Sequence, residues 1–388
     1  MPDHSPAFSR DPRRILIRGV NWLGDAIMAT PALQRLRGAL PGAHLALLTP
    51  EKLADLWQHH QGLDALITFS PGESLWSVAR RLRAETFQTA LVLPNSHRSA
   101  LEVWLARVPQ RVGYARLWRS WLLTQPLSPR LGQMRMPKRS AAEVKRLVGC
   151  PSGNPLPAPS HSPHRTTHQI HDYLHLAAAL GANPEPLPPK LEITDAEARQ
   201  AEAAVLSDWR NQAQDSVPGE PPLLLGLCPG AEYGPAKRWP AENFAAVART
   251  VSWKVGNCLW LAFGGPGDWQ ICHDVACLAG GGVLNLAGKT SLRQLMALLK
   301  RCRLLLTNDT GPMHLAAALG TPVVVPFGST SPELTGPGLP GDPRHRLLKS
   351  TAPCSPCFRR TCPIDFRCMT RITPDRVAQS VSDLLALQ

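Results

Sequence analysis

Two separate stretches of this 388-residue chain alternate short aliphatic runs with segments whose apolar residues recur every three to four positions. That alternation restricts the fold more than any other feature. In the first stretch the runs Ile15–Val20, His44–Thr49, Ala65–Phe69, Thr89–Leu93 and Arg111–Tyr114 read as strands. Between them Ala26–Leu40, Leu53–His59, Leu75–Ala84 and Ser99–Arg107 read as helices. The second stretch places strands at Leu223–Cys228, Leu259–Gly264, Val283–Leu286, Leu304–Asn308 and Val323–Phe327. Its helices fall at Ala241–Val251, Trp269–Leu278, Ser291–Lys300 and Pro312–Ala318. Parallel strands need a crossover between them, usually a helix, so each stretch predicts a parallel sheet covered on both faces. The proline-rich text at Pro184, Pro186, Pro188 and Pro189 separates them, and helical pattern flanks it at Ile170–Leu180 and Thr194–Trp209. The expectation is an α/β chain of two doubly wound domains, 1–185 and 186–388, with ligands at the carboxyl ends of the strands and a cleft between the domains.

Residues 126–167 interrupt the rhythm. From Arg130 to Arg165 there are seven Arg and Lys against one acid, Glu143, so the stretch reads either as a solvated insertion or as a basic flap over an anionic ligand. Lys and Arg number 42 and Asp and Glu 29 in the whole chain, a formal charge of +13. Such an excess favours an anionic partner: a phosphorylated substrate, an anionic membrane surface or nucleic acid. The basic stretch lacks interleaved aromatics and no nucleic-acid motif is present, which argues against the last. No apolar run approaches the roughly 18 residues that span a bilayer, and 1–14 lacks the apolar core of a secretory signal. A cytoplasmic protein is expected. Its ten Cys are then reduced thiols. Four of them, Cys354, Cys357, Cys362 and Cys368, have spacing compatible with a structural zinc knot, with thiols packed in a loop, or with a disulfide.

Three segments carry chemistry. Gly19–Asp25 turns from the first strand into a helix and sets Asp25 at its N-terminus, as a helix cap or as a base. The glycine spacing is not that of a nicotinamide dinucleotide site. Cys228–Pro240 follows the first strand of the second series. Gly230 and Ala231 leave backbone N–H groups open, and Lys237 and Arg238 come just before a helix, which reads as a cradle suited to a diphosphate or as a Gly/Pro-rich βα loop with a solvated Lys. Thr307–Gly320 places Asp309, Thr310 and Gly311 at a tight turn and His314 in the first turn of a small-residue helix, where sugar hydroxyls and phosphate oxygens could be met.

The texts NWLGDAIMATPAL (Asn21–Leu33), LPNSHRSA (Leu93–Ala100), CPGAEYGPAKRWP (Cys228–Pro240) and NDTGPMHLAAA (Asn308–Ala318) together resemble the family 9 glycosyltransferases, the bacterial lipopolysaccharide heptosyltransferases. The resemblance runs from Ile15 to about Leu387, and the Cys228–Pro240 loop is most similar to that of type II enzymes. It implies a GT-B fold, with the acceptor on the N-terminal domain and the donor, ADP-heptose, on the C-terminal one. It implies Asp25 as general base of an inverting displacement and Lys237 as the group that stabilises departing ADP. Gly230, Ala231, Lys237, Arg238, Asp309, Thr310, Gly311 and His314 would bind the donor. Asn21, Asn95, Ser96, His97 and Arg98 would face a lipid A–Kdo–heptose acceptor. No active-site metal or cofactor is required, and the basic surface would hold the protein peripherally on the inner membrane. A type I heptosyltransferase, another family 9 transferase and a nucleotide-sugar epimerase of the same fold are the competing enzymes; a nucleotide-sugar-binding regulator is the non-enzymatic one.

Overall fold

A computed structural model describes residues 13–131, 133, 137–149, 167–212 and 220–387. The described residues fall into two compact units. One comprises 13–21, 29–131 and 172–185; the other comprises 22–28, 133, 137–149, 167–171, 186–212 and 220–387. The chain boundary at 185/186 is therefore one of several crossings. Residues 22–28 and 167–171, read from sequence as parts of the first domain, cluster with the second unit.

In chain order the first part contains β1 (Arg14–Arg18), α1 (Leu23–Met28), α2 (Thr30–Ala39), β2 (His44–Pro50), β3 (Ala65–Phe69), α3 (Leu75–Ala84), β4 (Thr89–Val92), α4 (His97–Leu105), β5 (Gln110–Tyr114) and β6 (Gln125–Leu127). Its six strands are all parallel, in the order β3-β2-β1-β4-β5-β6. Leu16, Ala46, Leu48, Ala90 and Val92 of the central strands are buried against Val78 and Leu82 of α3 and Ala100 and Val103 of α4. Three sequence expectations need correction here. The single helix expected over Ala26–Leu40 is two, α1 and α2, broken before Pro31, whose ring cannot continue the hydrogen-bond ladder of a helix interior. Leu53–His59 is instead a 3-10 helix at Glu51–Trp57. The strand β6 was not anticipated, because it is short and holds Pro126; that residue is tolerated because β6 lies at the sheet edge.

The chain continues with α5 (Ala141–Gly149), α6 (Ile170–Ala178), α7 (Asp195–Gln212), β7 (Leu223–Cys228), α8 (Ala241–Val255), β8 (Cys258–Ala262), α9 (Trp269–Ala279), β9 (Val283–Asn285), α10 (Leu292–Arg301), β10 (Leu305–Thr307), α11 (Gly311–Ala318), β11 (Val323–Phe327), α12 (Pro332–Thr335), β12 (Arg346–Lys349), α13 (Arg367–Thr370) and α14 (Pro374–Ala386). Here the parallel order is β9-β8-β7-β10-β11-β12. Numbered from its own first strand, each sheet has the Rossmann order 3-2-1-4-5-6. The point where strand order reverses lies between β1 and β4 in one sheet and between β7 and β10 in the other. Loops leaving those four strands are where such a fold places ligands.

The basic stretch is not uniformly irregular. Residues 141–149 form α5, Val144 enters the core of the second unit, and the Arg139 N–H donates to the Cys357 carbonyl at 3.1 Å. Residues 132, 134–136 and 150–166 of that stretch lie outside the described residues. No helix among the described residues is long and apolar enough to cross a membrane.

Candidate active site

The candidate donor loops leave β7 and β10, and one buried side chain joins them. Asn308 is fully buried at the end of β10. Its amide donates to the Pro229 carbonyl at 2.7 Å and the Gly230 carbonyl at 3.3 Å, and its oxygen accepts from the Trp239 N–H at 3.0 Å. Trp239 is itself buried and donates from Nε1 to the Ile372 carbonyl at 2.9 Å. Both ends of the Pro229–Arg238 loop are therefore held before any ligand arrives. Gly230 also has a steric reason: a Cβ there would fall 2.4 Å from the Asp268 carboxyl carbon. Asp268 accepts from Arg238 at 3.3 Å and from the Gly265 N–H at 3.2 Å.

The charged centre is a buried triad. Asp309 Oδ2 accepts from Lys237 Nζ at 2.7 Å and from the Thr330 hydroxyl at 2.6 Å. Lys237 lies 5.0 Å from the centroid of the Tyr233 ring, on whose other contact sits Arg360, also at 5.0 Å. Asp309 is thus engaged by the ammonium that the sequence assigned to the diphosphate. Next to it, α11 begins at Gly311 with no side-chain cap on its first turn, which leaves N–H donors and the positive end of the helix dipole for an anion. His314, in the same helix, is buried, and desolvation lowers its pKa to about 4. At neutral pH it is an uncharged ring and contributes no charge towards a phosphate.

The carboxylate Asp25 lies in the same unit. Gln169 donates from Nε2 to Asp25 Oδ1 at 2.5 Å. Gln169 is fixed in turn: its N–H donates to the Leu334 carbonyl at 3.0 Å, Thr167 donates to Glu333 O at 3.3 Å, and His168 Nε2 lies 3.0 Å from Gly336 O. The helices α1 and α11 meet at their first turns through glycine on each side. A Cβ on Gly24 would come within 2.8 Å of the His314 ring, and one on Gly311 within 2.8 Å of Leu23. The residue before the carboxylate therefore rests directly on the donor-loop helix.

The candidate acceptor residues lie in the other unit, at the ends of β1 and β4. Asn21 Oδ1 accepts from Arg18 at 2.9 Å, and Arg18 is a fully buried cation paired with Glu102 at 2.7 Å. Arg98 pairs with the same Glu102 at 3.0 Å. Ser96 caps α4 by accepting from the Ser99 N–H. Asn95 and His97 are exposed. Arg119 was missed by sequence reading: it is buried and donates to the carbonyls of Tyr114 at 2.9 Å and Pro94 at 2.7 Å. Gln169, Thr330 and Asp268 were missed as well, having no local motif that distinguishes them from ordinary polar residues; Asn308 lies inside the Asn308–Ala318 text but was given no role of its own.

Cys354, Cys357 and Cys368 are buried beneath the second sheet, Cys362 is half-buried, and all four are free thiols. Among the described residues no three His, Cys, Asp or Glu side chains converge as a metal-binding set. The segment braces the donor loops. The N–H groups of Cys357 and Phe358 donate to the Ser329 carbonyl, next to Thr330, and the Tyr233 hydroxyl donates to the Phe358 carbonyl at 3.1 Å.

Residues 158–366, more than half of the chain, match the family model of glycosyltransferase family 9 (heptosyltransferase). The chain belongs to this family. Among family members it is 29% identical to lipopolysaccharide heptosyltransferase 2 of Salmonella typhimurium over 341 residues, 84% of this chain and 85% of that one. It is 28% identical to lipooligosaccharide heptosyltransferase 2 of Haemophilus ducreyi, over 96% and 99% of the two chains. The solved structure of Escherichia coli ADP-heptose lipopolysaccharide heptosyltransferase II superposes with a TM-score of 0.72 at 26% identity, covering 96% and 99%. The fold is accordingly GT-B, and the chain is a glycosyltransferase.

Proposed function

We propose that this family 9 transferase moves L-glycero-D-manno-heptose from ADP-heptose to the heptosyl-Kdo2-lipid A inner core of lipopolysaccharide, adding the second heptose. Family membership and the type II relatives support the reaction class and both substrates. One observation carries the mechanism: the Asp25 carboxylate is held by Gln169 at 2.5 Å, on a helix whose first turn packs against the donor-loop helix. A carboxylate with a fixed orientation is what a general base needs.

In this reading the acceptor hydroxyl attacks the anomeric carbon as its proton passes to Asp25. The bond from that carbon to the diphosphate oxygen breaks on the opposite face, with inversion and no covalent enzyme intermediate. Lys237, Arg238 and the open first turn of α11 take up the charge developing on ADP. Lys237 then has two anionic partners, Asp309 in the structure described here and the diphosphate when donor is bound. Asn21, Asn95, Ser96, His97 and Arg98 are proposed to face the acceptor. Because the leaving charge is met by these groups, turnover in EDTA is expected to persist. The acceptor is lipid-linked and phosphorylated, so a cytoplasmic, peripheral position on the inner membrane is proposed, drawn by the +13 charge.

The test is ADP release from ADP-L-glycero-D-manno-heptose with two acceptors, one ending in Kdo and one already carrying a heptose, for wild type and Asp25→Asn. Turnover confined to the mono-heptosylated acceptor and lost in the variant supports the reading. Turnover on the Kdo-terminated acceptor would make the chain a type I enzyme. Donor consumption without any acceptor would make it an epimerase.

A further inference from the structure

We propose that an aromatic and basic platform on the first unit docks onto the surface of an anionic phospholipid bilayer. This rests on the reading above only in that the acceptor is lipid-linked; the surface itself is read from the residues.

The platform is built from α3, α4 and the loop after β5. Trp76 on α3, and Trp118 and Trp121 in the loop, are 71%, 80% and 64% exposed. Water-facing tryptophans at this density are unusual in a surface that meets only solvent. They are connected. Trp121 stacks edge-on against Trp104 of α4 at 5.7 Å and donates from Nε1 to the Trp118 carbonyl at 3.1 Å. Leu105, the next residue on α4, shares with Trp76, Arg80 and Arg83 a shallow cavity of about 470 Å³. Leu117, the most exposed residue of the loop at 88%, extends the apolar face.

The loop is anchored by one of its own residues: Arg119 is buried and donates to the carbonyls of Tyr114 and Pro94. Trp118 is held at φ 62, a backbone conformation that a bulky side chain rarely adopts, and its ring is exposed. Strain of this kind is retained where the surrounding structure enforces it, and it clusters at functional surfaces.

Charge selects the occupant. Residues 75–122, which span the platform, contain eight Arg and two acids, Glu85 and Glu102; Glu85 pairs with Arg14, and Glu102 is buried and paired with Arg18 and Arg98. Arg80 and Arg83 are exposed and line the cavity with Trp76, and Arg107, just after α4, is exposed as well. Indole rings with a polar N–H settle at the headgroup level of a bilayer, and surrounding guanidinium groups favour anionic headgroups. A second protein copy would bring like charge against like charge.

The experiment measures co-sedimentation of the full chain with vesicles of phosphatidylethanolamine and phosphatidylglycerol, and with phosphatidylcholine vesicles. It compares wild type, Trp76→Ser/Trp118→Ser/Trp121→Ser and Arg80→Gln/Arg83→Gln. Turnover of a deacylated, water-soluble acceptor is measured in parallel. Wild type is expected to bind the anionic vesicles, less so at high salt. The tryptophan variant is expected to partition about tenfold more weakly or worse, and the arginine variant to lose the preference for phosphatidylglycerol. Both should keep the wild-type urea midpoint, which establishes that they are folded, and turn over the soluble acceptor as wild type does. Equal vesicle binding by the tryptophan variant, or none by wild type, overturns the proposal. So does a wild-type solution mass of two chains that falls to one in the tryptophan variant, because the platform would then be a dimer interface. Failure of the heptosyl-transfer reading shows separately, as absence of turnover on every acceptor while vesicle binding stands.

Discussion

Gly24→Ala isolates the contact on which the proposed base depends. Local preference and packing pull in opposite directions at this position. Ala is favoured over Gly within a helix by about 0.8–1 kcal/mol, so α1 viewed alone would be strengthened. The added Cβ, however, would lie 2.8 Å from Cδ2 and 3.2 Å from Nε2 of His314. Ordinary carbon contacts lie at about 3.5–4.0 Å, so α1 or the ring must move by about 0.7 Å. The ring is buried and cannot swing into solvent. Overpacking of this size costs about 1–3 kcal/mol, leaving a net destabilisation of about 0–2 kcal/mol after the helix gain. The kinetic effect is larger, because Asp25 is the next residue. Misplacement of a reacting group by about 1 Å costs on the order of 100-fold, so kcat is expected to fall about 10- to 100-fold. ADP release and urea midpoints would be measured for Gly24→Ala, His314→Ala and the double variant. Trimming the ring removes the overlap, so the double variant should be less destabilised than the two single effects together. A Gly24→Ala protein as active as wild type, with an additive double variant, would refute the idea that this contact positions Asp25.

Three further outcomes follow from buried groups. His168, His314 and His345 each have a pKa lowered to about 4, chiefly by burial, against about 6.5 unfolded. Between those values the unfolded chain binds the protons. Stability is therefore complete above about pH 6.5 and is lost as pH falls towards 4, with a slope approaching three protons, about 4 kcal/mol per pH unit; urea midpoints from pH 7 to 5 should show this, and His314→Asn should remove one proton from the slope. Glu102→Gln leaves Arg18 buried without its counter-charge and should cost about 3–5 kcal/mol in urea unfolding; a loss under 1 kcal/mol would mean that water reaches the pair. Thr330→Val removes the hydroxyl donated to Asp309 at 2.6 Å, leaving that carboxylate to draw more heavily on Lys237, and calorimetry should find ADP binding weakened about fivefold, on the scale of one hydrogen bond. An unchanged Kd would place Asp309 under the control of Lys237 alone.

Much of the fold was legible because it rests on local periodicity. The strands at 65–69, 223–228 and 323–327 were read with the bounds the structure has, since an aliphatic run between turn residues carries its own signal. The break at Pro31 splits α1 from α2, and its cue was present and overlooked. The helix α14 was also missed, although Pro374 at its first turn and apolar residues at 377, 381 and 384 mark it. The helix α5 is amphipathic but short and was passed over within Pro-, Ser- and Arg-rich text; its Val144 is buried in the core of the second unit.

For the candidate site, sequence marked the loops proposed to carry it. The segments at Asn21–Asp25, Asn95–Arg98, Cys228–Pro240 and Asn308–His314 leave β1, β4, β7 and β10, the strands flanking the two order reversals. At Asn21–Asp25, Cys228–Pro240 and Asn308–His314 small residues, prolines and charges at the end of an aliphatic run form a continuous local pattern, whereas Asn95–Arg98 rested on the family resemblance. Tertiary structure alone decided what those residues touch. Gln169 reaches Asp25 across 144 positions, Lys237 reaches Asp309 across 72, and Asn308 reaches Pro229 across 79. No periodicity extends over such separations. The partner of a polar side chain is set by which strand ends the parallel sheet brings side by side, and by the requirement that every group buried there find a donor or an acceptor.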